Sequence, residues 1–142
     1  LTQRILGYPQ DLEHSYGTVR MEIGEMQEGD VAGLAVFQDP YAFIGVKVID
    51  GQKRLVYTTA PVVSSAAKSE QIGEVVTEQV IYLRAIANYN TSRASFYYSL
   101  DNKTYTKFGD DLNMKYDLTV FTCNCPDRRL CRYRLVLYRN GV

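Results

Sequence analysis

Two neighbouring carboxylates and a single histidine are the residues of this chain that most resemble acid–base chemistry. Carboxyl groups that act as an acid and base pair must flank the bond that they cleave. Asp110 and Asp111 are adjacent in sequence, so on a strand their side chains would point to opposite faces. His14 lies between Glu13 and Ser15 with no pattern of nucleophilic catalysis around it. We therefore predict no catalytic residue and interpret the two aspartates as turn residues.

Three cysteines near the end of the chain could offer thiolate ligands to zinc. Their spacing is Cys123-x-Cys125-x5-Cys131, which lacks the usual two-residue separation of paired ligands and supplies no fourth ligand. His14 is far away in sequence. No metal or other cofactor is expected. A structural calcium ion held by loop carbonyls and an aspartate is the alternative left open, although no spaced acidic loop marks it.

A basic cluster follows the cysteines and could contact phosphate or nucleic acid. It consists of Arg128, Arg129, Arg132 and Arg134. No basic face accompanies it elsewhere, and the chain has 16 Lys and Arg against 16 Asp and Glu, with a formal net charge of 0. Such a balance attracts neither nucleic acid nor an acidic membrane surface. No apolar run is long enough to span a bilayer, so neither partner is expected.

Aromatic and basic side chains occupy strand positions at which water-facing residues are expected to be polar. From residue 80 to 108, apolar and polar residues alternate through two strands, with turn signals at 88–92 and 101–103. If Ile81, Leu83 and Phe96 face a core, the residues between them face outward. The same parity on neighbouring strands completes a predicted carbohydrate-binding patch of Tyr82, Arg84, Tyr97, Phe43, Arg20 and Lys47.

This patch has a second interpretation. Exposed rings on a rigid sheet can stack on the flat faces of sugars, and the cations can hydrogen-bond hydroxyl groups. Aromatic cross-strand pairs also serve packing alone, and a second sheet or a partner domain can cover such a face. The residues by themselves leave both alternatives open.

The elements that would position the patch are short strands. Regular alternation or apolar runs predict strands at 18–23, 31–37, 41–49, 53–58, 80–87, 94–100, 104–108 and 118–122. Asp50-Gly51 marks a hairpin, residues 60–69 form a small-residue loop, and 74–77 is a further short strand. No segment has a sustained helical period. A chain of 142 residues with such strands predicts one all-β domain, an antiparallel sandwich or barrel.

Several phrases of the chain, in this order and spacing, resemble one family. They are LTQR at 1–4, GDVAGLAVFQ at 29–38, YLRA at 82–85, SFYYSLDNKTYTKFG at 95–109 and LTVFT at 118–122. Together they resemble the C-terminal concanavalin A-like domain of family-43 glycoside hydrolases, the β-xylosidases and α-L-arabinofuranosidases. The resemblance covers residues 1–122.

The resemblance implies an antiparallel jelly-roll sandwich that packs against a five-bladed catalytic propeller. In the family, the catalytic carboxylates lie on the propeller, so this domain would not be an enzyme on its own. It would rim the propeller's active-site pocket or hold xylan or a xylo-oligosaccharide. The alternative is a purely structural interaction module without sugar affinity. An extracellular or periplasmic location is favoured over a cytoplasmic one, but the compartment stays open.

The chain departs from the family at both ends. The family domain usually starts several strands before the LTQR-like phrase, so we expect a fragment with an unpaired sheet edge that is marginally stable or forms a homodimer. Residues 128–137, read one base later with suitable codons, become Gly-Gly-Tyr-Val-Asp-Ile-Asp-Trp-Phe, which resembles the family's last strand. We therefore predict a sandwich domain at 1–122 and an aberrant tail at 123–142, the product of a frameshift or sequencing error that the coding DNA would reveal.

Overall fold

A computed structural model describes residues 4–5, 14–37, 40–61, 66–114 and 134–140. Within these residues all regular structure is β-strand. The strands in chain order are β1 (Arg4–Ile5), β2 (His14–Glu22), β3 (Val31–Phe37), β4 (Tyr41–Ile49), β5 (Gln52–Ala60), β6 (Ser69–Val75), β7 (Val80–Asn88), β8 (Arg93–Ser99), β9 (Thr106–Lys107), β10 (Leu112–Asn113) and β11 (Arg134–Asn140).

The strands form two antiparallel sheets. Sheet I has the order β1-β11-β3-β4-β5-β6, and sheet II has the order β10-β8-β7-β2, with β9 paired to β8 on the same side as β10. The inner faces of the two sheets enclose one hydrophobic core. This is the two-layer arrangement of a β-sandwich, which confirms the all-β antiparallel sandwich predicted from the sequence.

Alternation along β7 and β8 sets the core side of sheet II. Buried and half-buried residues alternate without interruption through β7. Ile81, Leu83 and Ala85 are fully buried there, and Phe96 of β8 joins them. From sheet I, the core receives Leu34 and the other inward residues of β3, β4 and β5, namely Val36, Ala42, Ile44, Val46, Leu55 and Tyr57.

The hairpin between β4 and β5 has the predicted turn chemistry. Asp50 and Gly51 have φ angles of 52° and 71°, which are the left-handed values that a type I′ turn requires at both central positions. The Glu28 carboxylate accepts the backbone N–H of Asp50 at 3.1 Å and that of Gly51 at 2.7 Å. A side chain from the preceding loop therefore ties down the tip of the hairpin.

Two elements differ from the sequence-based prediction. A loop was expected at 60–69 and a strand at 74–77, whereas β6 spans Ser69–Val75. This strand lies at the sheet edge, six of its seven residues are exposed, and a bulge shifts its register to β5, so it lacks half-buried alternation. The strand expected at 104–108 is reduced to β9 because the preceding turn extends through Thr104.

Part of the predicted tail belongs to sheet I. Strand β11 pairs with β3 from Arg134 opposite Phe37 to Asn140 opposite Val31, and with β1 on its other side. The strand expected at 118–122, the cysteines and most of the basic cluster lie outside the described residues. The boundary at residue 122 and the frameshift origin of the tail stay predictions. Among the described residues, no helix could cross a membrane.

Candidate functional site

The six predicted patch residues are divided between the two outer faces of the sandwich. Phe43 and Lys47 lie on β4 of sheet I, whereas the other four, Arg20, Tyr82, Arg84 and Tyr97, lie on sheet II. The sequence correctly predicted which residues of each strand point outward, but alternation along a strand does not tell which of the two sheets the strand joins. A single patch of all six residues is therefore wrong. Whether any of the six binds a sugar stays a prediction.

The outer face of sheet II brings tyrosines and cations together in rows. In one row Thr18 of β2 pairs with Arg84 of β7, which pairs with Tyr97 of β8, which pairs with Lys107 of β9. The next row contains Arg20 opposite Tyr82. We call this surface the tyrosine face and define it by Tyr16, Thr18, Arg20, Tyr82, Arg84, Tyr97 and Tyr105.

Arg84 occupies the centre of the tyrosine face. Its Nε donates a hydrogen bond to Thr18 Oγ1 at 2.8 Å. Its guanidinium carbon lies 3.6 Å from the centroid of the Tyr105 ring and 6.0 Å from that of the Tyr16 ring. A guanidinium at such distances is attracted by the ring quadrupole, so the Arg84 side chain is held in place although it is only half-buried.

Tyr105 reaches Arg84 because the turn before it is tightly hydrogen-bonded. Asp101 Oδ1 accepts the backbone N–H groups of Lys103 and Thr104, each at 2.8 Å, and the hydroxyl of the buried Ser99 at 2.9 Å. The N–H donors of Thr104 and Lys103, together with Ser99, lower the pKa of Asp101 to about 2. Within the same turn, the Tyr105 hydroxyl donates to Asn102 Oδ1 at 2.6 Å.

The segment after the turn is fixed against sheet I. Gly109 has a φ of 84° and lies against the Tyr57 ring, where a Cβ would collide with ring atoms. The Tyr57 hydroxyl donates to the backbone carbonyl of Asp110 at 2.7 Å. Burial, followed by the charges of Asp110 and Asp111, raises the pKa of Tyr57 to about 12. This contact joins the two sheets below the tyrosine face.

A second contact between the sheets uses the bulged edge strand. Phe108 packs over Gly73 of β6, where a Cβ would lie 2.7 Å from its ring. Its ring meets that of Tyr98 edge-on, with centroids 6.3 Å apart. The Tyr98 hydroxyl donates to the Glu74 carboxylate, which raises the pKa of Tyr98. Residues 108–110 thus contact both β5 and β6 of sheet I.

The two aspartates have structural partners of different kinds. Asp110 contributes its carbonyl to Tyr57, as described. The Asp111 carboxylate forms an ion pair with Lys107 at 2.7 Å and accepts the Ser95 hydroxyl at 2.8 Å. The Lys107 ammonium lowers the pKa of Asp111, and Asp111 in turn raises the pKa of Lys107.

Arg20 is the second arginine of the tyrosine face and is already paired. Its Nη1 lies 2.6 Å from the Glu22 carboxylate, and both side chains are exposed. The Glu22 carboxylate, and to a lesser degree Tyr82, raise the pKa of Arg20. An exposed pair of this kind contributes little to stability, so the Glu22 carboxylate matters more as a competitor for ligands of Arg20.

On the opposite outer face, that of sheet I, the two predicted patch residues are covered or already paired. Phe43 is 6% exposed and packs in a small cluster with Ala35, Val56 and Val31; we call these four residues the outer cluster. Lys47 lies beside it, and its ammonium pairs with Glu70 at 2.9 Å. The Phe43 ring is covered, so it offers no free aromatic surface to a sugar. The charge of Lys47 is already paired with that of Glu70.

Sequence reasoning missed two rings of the tyrosine face. Tyr16 precedes the strand expected at 18–23, but β2 begins at His14, so continuing the alternation two residues backward would have found it. Tyr105 is reached only through the fold of the 101–105 turn, for which strand parity gives no signal. In the part of the chain that the structure describes, no group of His, Cys, Asp or Glu is placed to hold a metal ion.

The two antiparallel sheets around one core place this domain in the class of β-sandwiches. The model of the family described as "Beta xylosidase C-terminal Concanavalin A-like domain" matches residues 2–124. The chain belongs to this family. The family resemblance stated from the sequence phrases is thereby confirmed. A search of curated proteins finds no match.

Two solved structures resemble the chain over most of its length. A bifunctional GH43-CE protein of Bacteroides eggerthii superposes with a TM-score of 0.74 at 30% identity, over 89% of this chain. A GH43 glycoside hydrolase, engineered to display both endo-xylanase and exo-arabinofuranosidase activity, superposes with a TM-score of 0.73 at 26% identity, also over 89% of this chain. The chain spans only 15% and 26% of those two proteins, respectively.

Proposed function

We propose that this chain is the non-catalytic accessory domain of a xylan- or arabinoxylan-degrading GH43 glycosidase and that its tyrosine face holds a xylo-oligosaccharide. Its partner in the complete enzyme would be a catalytic propeller domain, beside whose active site this face would present the sugar chain. The family membership and the two larger GH43 relatives support this assignment of partner. The engineered relative, described as acting as an endo-xylanase and exo-arabinofuranosidase, supports the xylan class of ligand.

The observation that carries the proposal is the row Arg84–Tyr97–Lys107 on sheet II. It places a half-buried ring between two cations, one supported by Thr18 and the other by Asp111. A ring supplies an apolar surface for one face of a pyranose, and fixed donors on either side can bind its hydroxyl groups. Because the row lies on paired strands, little side-chain and backbone freedom is left to be lost on binding.

Isothermal titration of the 142-residue chain with xylohexaose tests the proposal. We expect saturable binding that is lost, or weakened about tenfold, in Tyr97→Ala. Removing the ring loses its buried area and about 0.5–1.5 kcal/mol of stacking, and about 1.4 kcal/mol corresponds to a tenfold change in affinity. Tyr41→Ala is the matched control, since Tyr41 is a half-buried tyrosine on the outer face of sheet I. It should bind as the unaltered chain does.

Two results would overturn the proposal. A folded chain without measurable xylohexaose binding would leave the structural interaction module as the function. Binding that Tyr41→Ala abolishes and Tyr97→Ala does not would move the site to sheet I.

A further inference from the structure

The charges of the tyrosine face are unevenly matched. Arg20 pairs with Glu22, and Lys107 pairs with Asp111. Among the ion pairs of the described residues, none includes Arg84, although it lies at the centre of the face. The half-buried cation of Arg84 is balanced by the rings of Tyr105 and Tyr16 and by the Thr18 hydroxyl, none of which carries a formal negative charge.

The way in which Arg84 is held leaves one edge of its guanidinium for a ligand. Thr18 takes the Nε edge, and the Tyr105 ring covers one flat side. The two terminal nitrogens, Nη1 and Nη2, point away from Nε in the guanidinium plane. That edge matches the spacing of two carboxylate oxygens and gives two parallel, charge-assisted hydrogen bonds. Stacking fixes the plane beforehand, so less side-chain entropy is lost when a carboxylate binds.

We infer that Arg84 recognises a carboxylate on the sugar chain, so that the tyrosine face prefers a xylo-oligosaccharide bearing a uronic acid substituent over a neutral one. This inference rests on the proposed function, because it names the subclass of ligand for the same face. The xylose chain stacks along the Tyr97 row, and the uronate carboxylate accepts hydrogen bonds from Nη1 and Nη2 of Arg84. Charge complementarity selects this occupant, since a neutral sugar leaves the Arg84 cation without a counter-charge.

The test compares three ligands with one protein: neutral xylohexaose, xylohexaose carrying one uronic acid substituent, and the methyl ester of that substituent. We expect the acid to bind the unaltered chain about tenfold more tightly than the neutral chain, as one charge-assisted pair allows. The methyl ester should lose this preference, because it keeps the size of the substituent and removes its charge. The preference should also shrink in high salt.

The variant Arg84→Met removes the cation and keeps much of the aliphatic stem. The quantity measured is the dissociation constant of the neutral ligand divided by that of the acid, which should fall from about ten to about one. Arg54→Met is the matched control: Arg54 lies opposite Lys47 on the outer face of sheet I, so the ratio should stay near ten. Arg84→Lys keeps the charge without the planar fork and should retain only part of the preference.

The outcomes separate this inference from the proposed function. No binding of any of the three ligands would overturn both. Equal binding of acid, ester and neutral chain would overturn the inference and leave the proposed function standing. A preference that Arg84→Met leaves intact would also overturn the inference, because another cation would then bind the carboxylate. If Arg84→Met fails to fold, Arg84→Lys takes its place, and an acid-to-neutral ratio equal to that of the unaltered chain would overturn the inference.

Discussion

The two outer faces of this sandwich carry similar residue types, but an outward phenylalanine is covered on sheet I, whereas outward tyrosines are partly exposed on sheet II. On sheet I, Phe43 lies over the backbone and is 6% exposed within the outer cluster. On sheet II, Tyr97 and Arg84 stand at the corresponding strand parity and remain half-buried. The difference shows that an outward-facing aromatic residue is a candidate for ligand binding only when its neighbours leave the ring uncovered.

Two glycines account for much of the difference. Gly33 of β3 and Gly45 of β4 pair directly across the strands, and the Phe43 ring lies close to both, so that a Cβ on either would come within 2.8 Å of a ring carbon. The absence of two side chains therefore lets one ring lie flat on sheet I. Sheet II has no such pair among its described outward positions, since Thr18, Arg84 and Tyr97 fill the equivalent row.

The largest effect that would test this contrast is on stability. Phe43→Ala should lower the free energy of unfolding by about 3 kcal/mol, because a buried ring is lost and a cavity remains. Tyr97→Ala should lower it by about 1 kcal/mol or less, since a partly exposed side chain contributes less buried area. Urea denaturation of the two variants measures both values. Equal losses would show that the two faces do not differ as described.

A substitution at one of the two glycines under the Phe43 ring tests the same contrast. Gly45→Ala should cost about 2 kcal/mol, because its Cβ would meet the Ala32 carbonyl and the Phe43 ring. Gly24→Ala is the matched control, since its Cβ would meet only the flexible end of the Gln79 side chain; its cost should be below about 1 kcal/mol. Thermal melts of both variants suffice, and similar melting temperatures would contradict the prediction.

Removing the Tyr57 hydroxyl tests how sheet I supports the tyrosine face. Tyr57→Phe should lower stability by about 1 kcal/mol, the net contribution of one hydrogen bond to a backbone carbonyl. The folded pKa of Tyr57 is about 12 against a reference of 10.0, so the neutral phenol stabilises the fold fully below pH 10 and progressively less as pH rises toward 12. The difference between the two proteins should therefore shrink across this interval.

Denaturation at pH 8 and pH 11.5 compares the two proteins directly. A difference that grows with pH would contradict the assignment, because it would mean that ionised Tyr57 is favoured in the folded state.

The smallest expected effect concerns the turn that positions Tyr105. The pKa of Asp101 falls from 3.8 to about 2 in the folded protein, so its ionised form stabilises the turn above about pH 4, and this contribution is lost as pH falls toward 2. Asp101→Asn should loosen the turn at neutral pH and remove this acid dependence. Amide exchange of Lys103 and Thr104, measured from pH 5 to pH 2.5, should rise relative to its intrinsic rate in the unaltered chain but not in the variant.

The sequence was sufficient for the fold class and for the parity of the long strands. Alternation in β7 and β8 correctly placed Ile81, Leu83 and Phe96 inside, because one face of each strand is buried and the other is not. Asp50-Gly51 correctly located a hairpin, because few residue pairs accept positive φ at both positions. Strand alternation and turn conformation depend on residues that are adjacent in sequence, so short sequence patterns predict them.

The arrangement of the site needed information that is not local. Phe43 and Tyr97 have the same parity, yet pairing sets them on opposite sides of the sandwich, and pairing depends on contacts between distant segments. The exposure of Phe43 depended on Gly33, which lies on another strand. Tyr105 required the geometry of a turn stabilised by Asp101. The edge strand β6 was misplaced because its exposed residues carry little periodic signal.

That edge strand also affects how copies of the domain meet. An exposed strand at the end of a sheet is a template for pairing with a second molecule. On β6, Glu70 pairs with Lys47 on the outer face of sheet I, whereas the Glu74 carboxylate accepts the Tyr98 hydroxyl of sheet II. The strand therefore presents no regular face to a second copy. The bulge beside these residues further distorts the edge. The irregular backbone and the side chains already paired thus disfavour pairing at the β6 edge, and we expect the dimer predicted from the sequence to form at another surface.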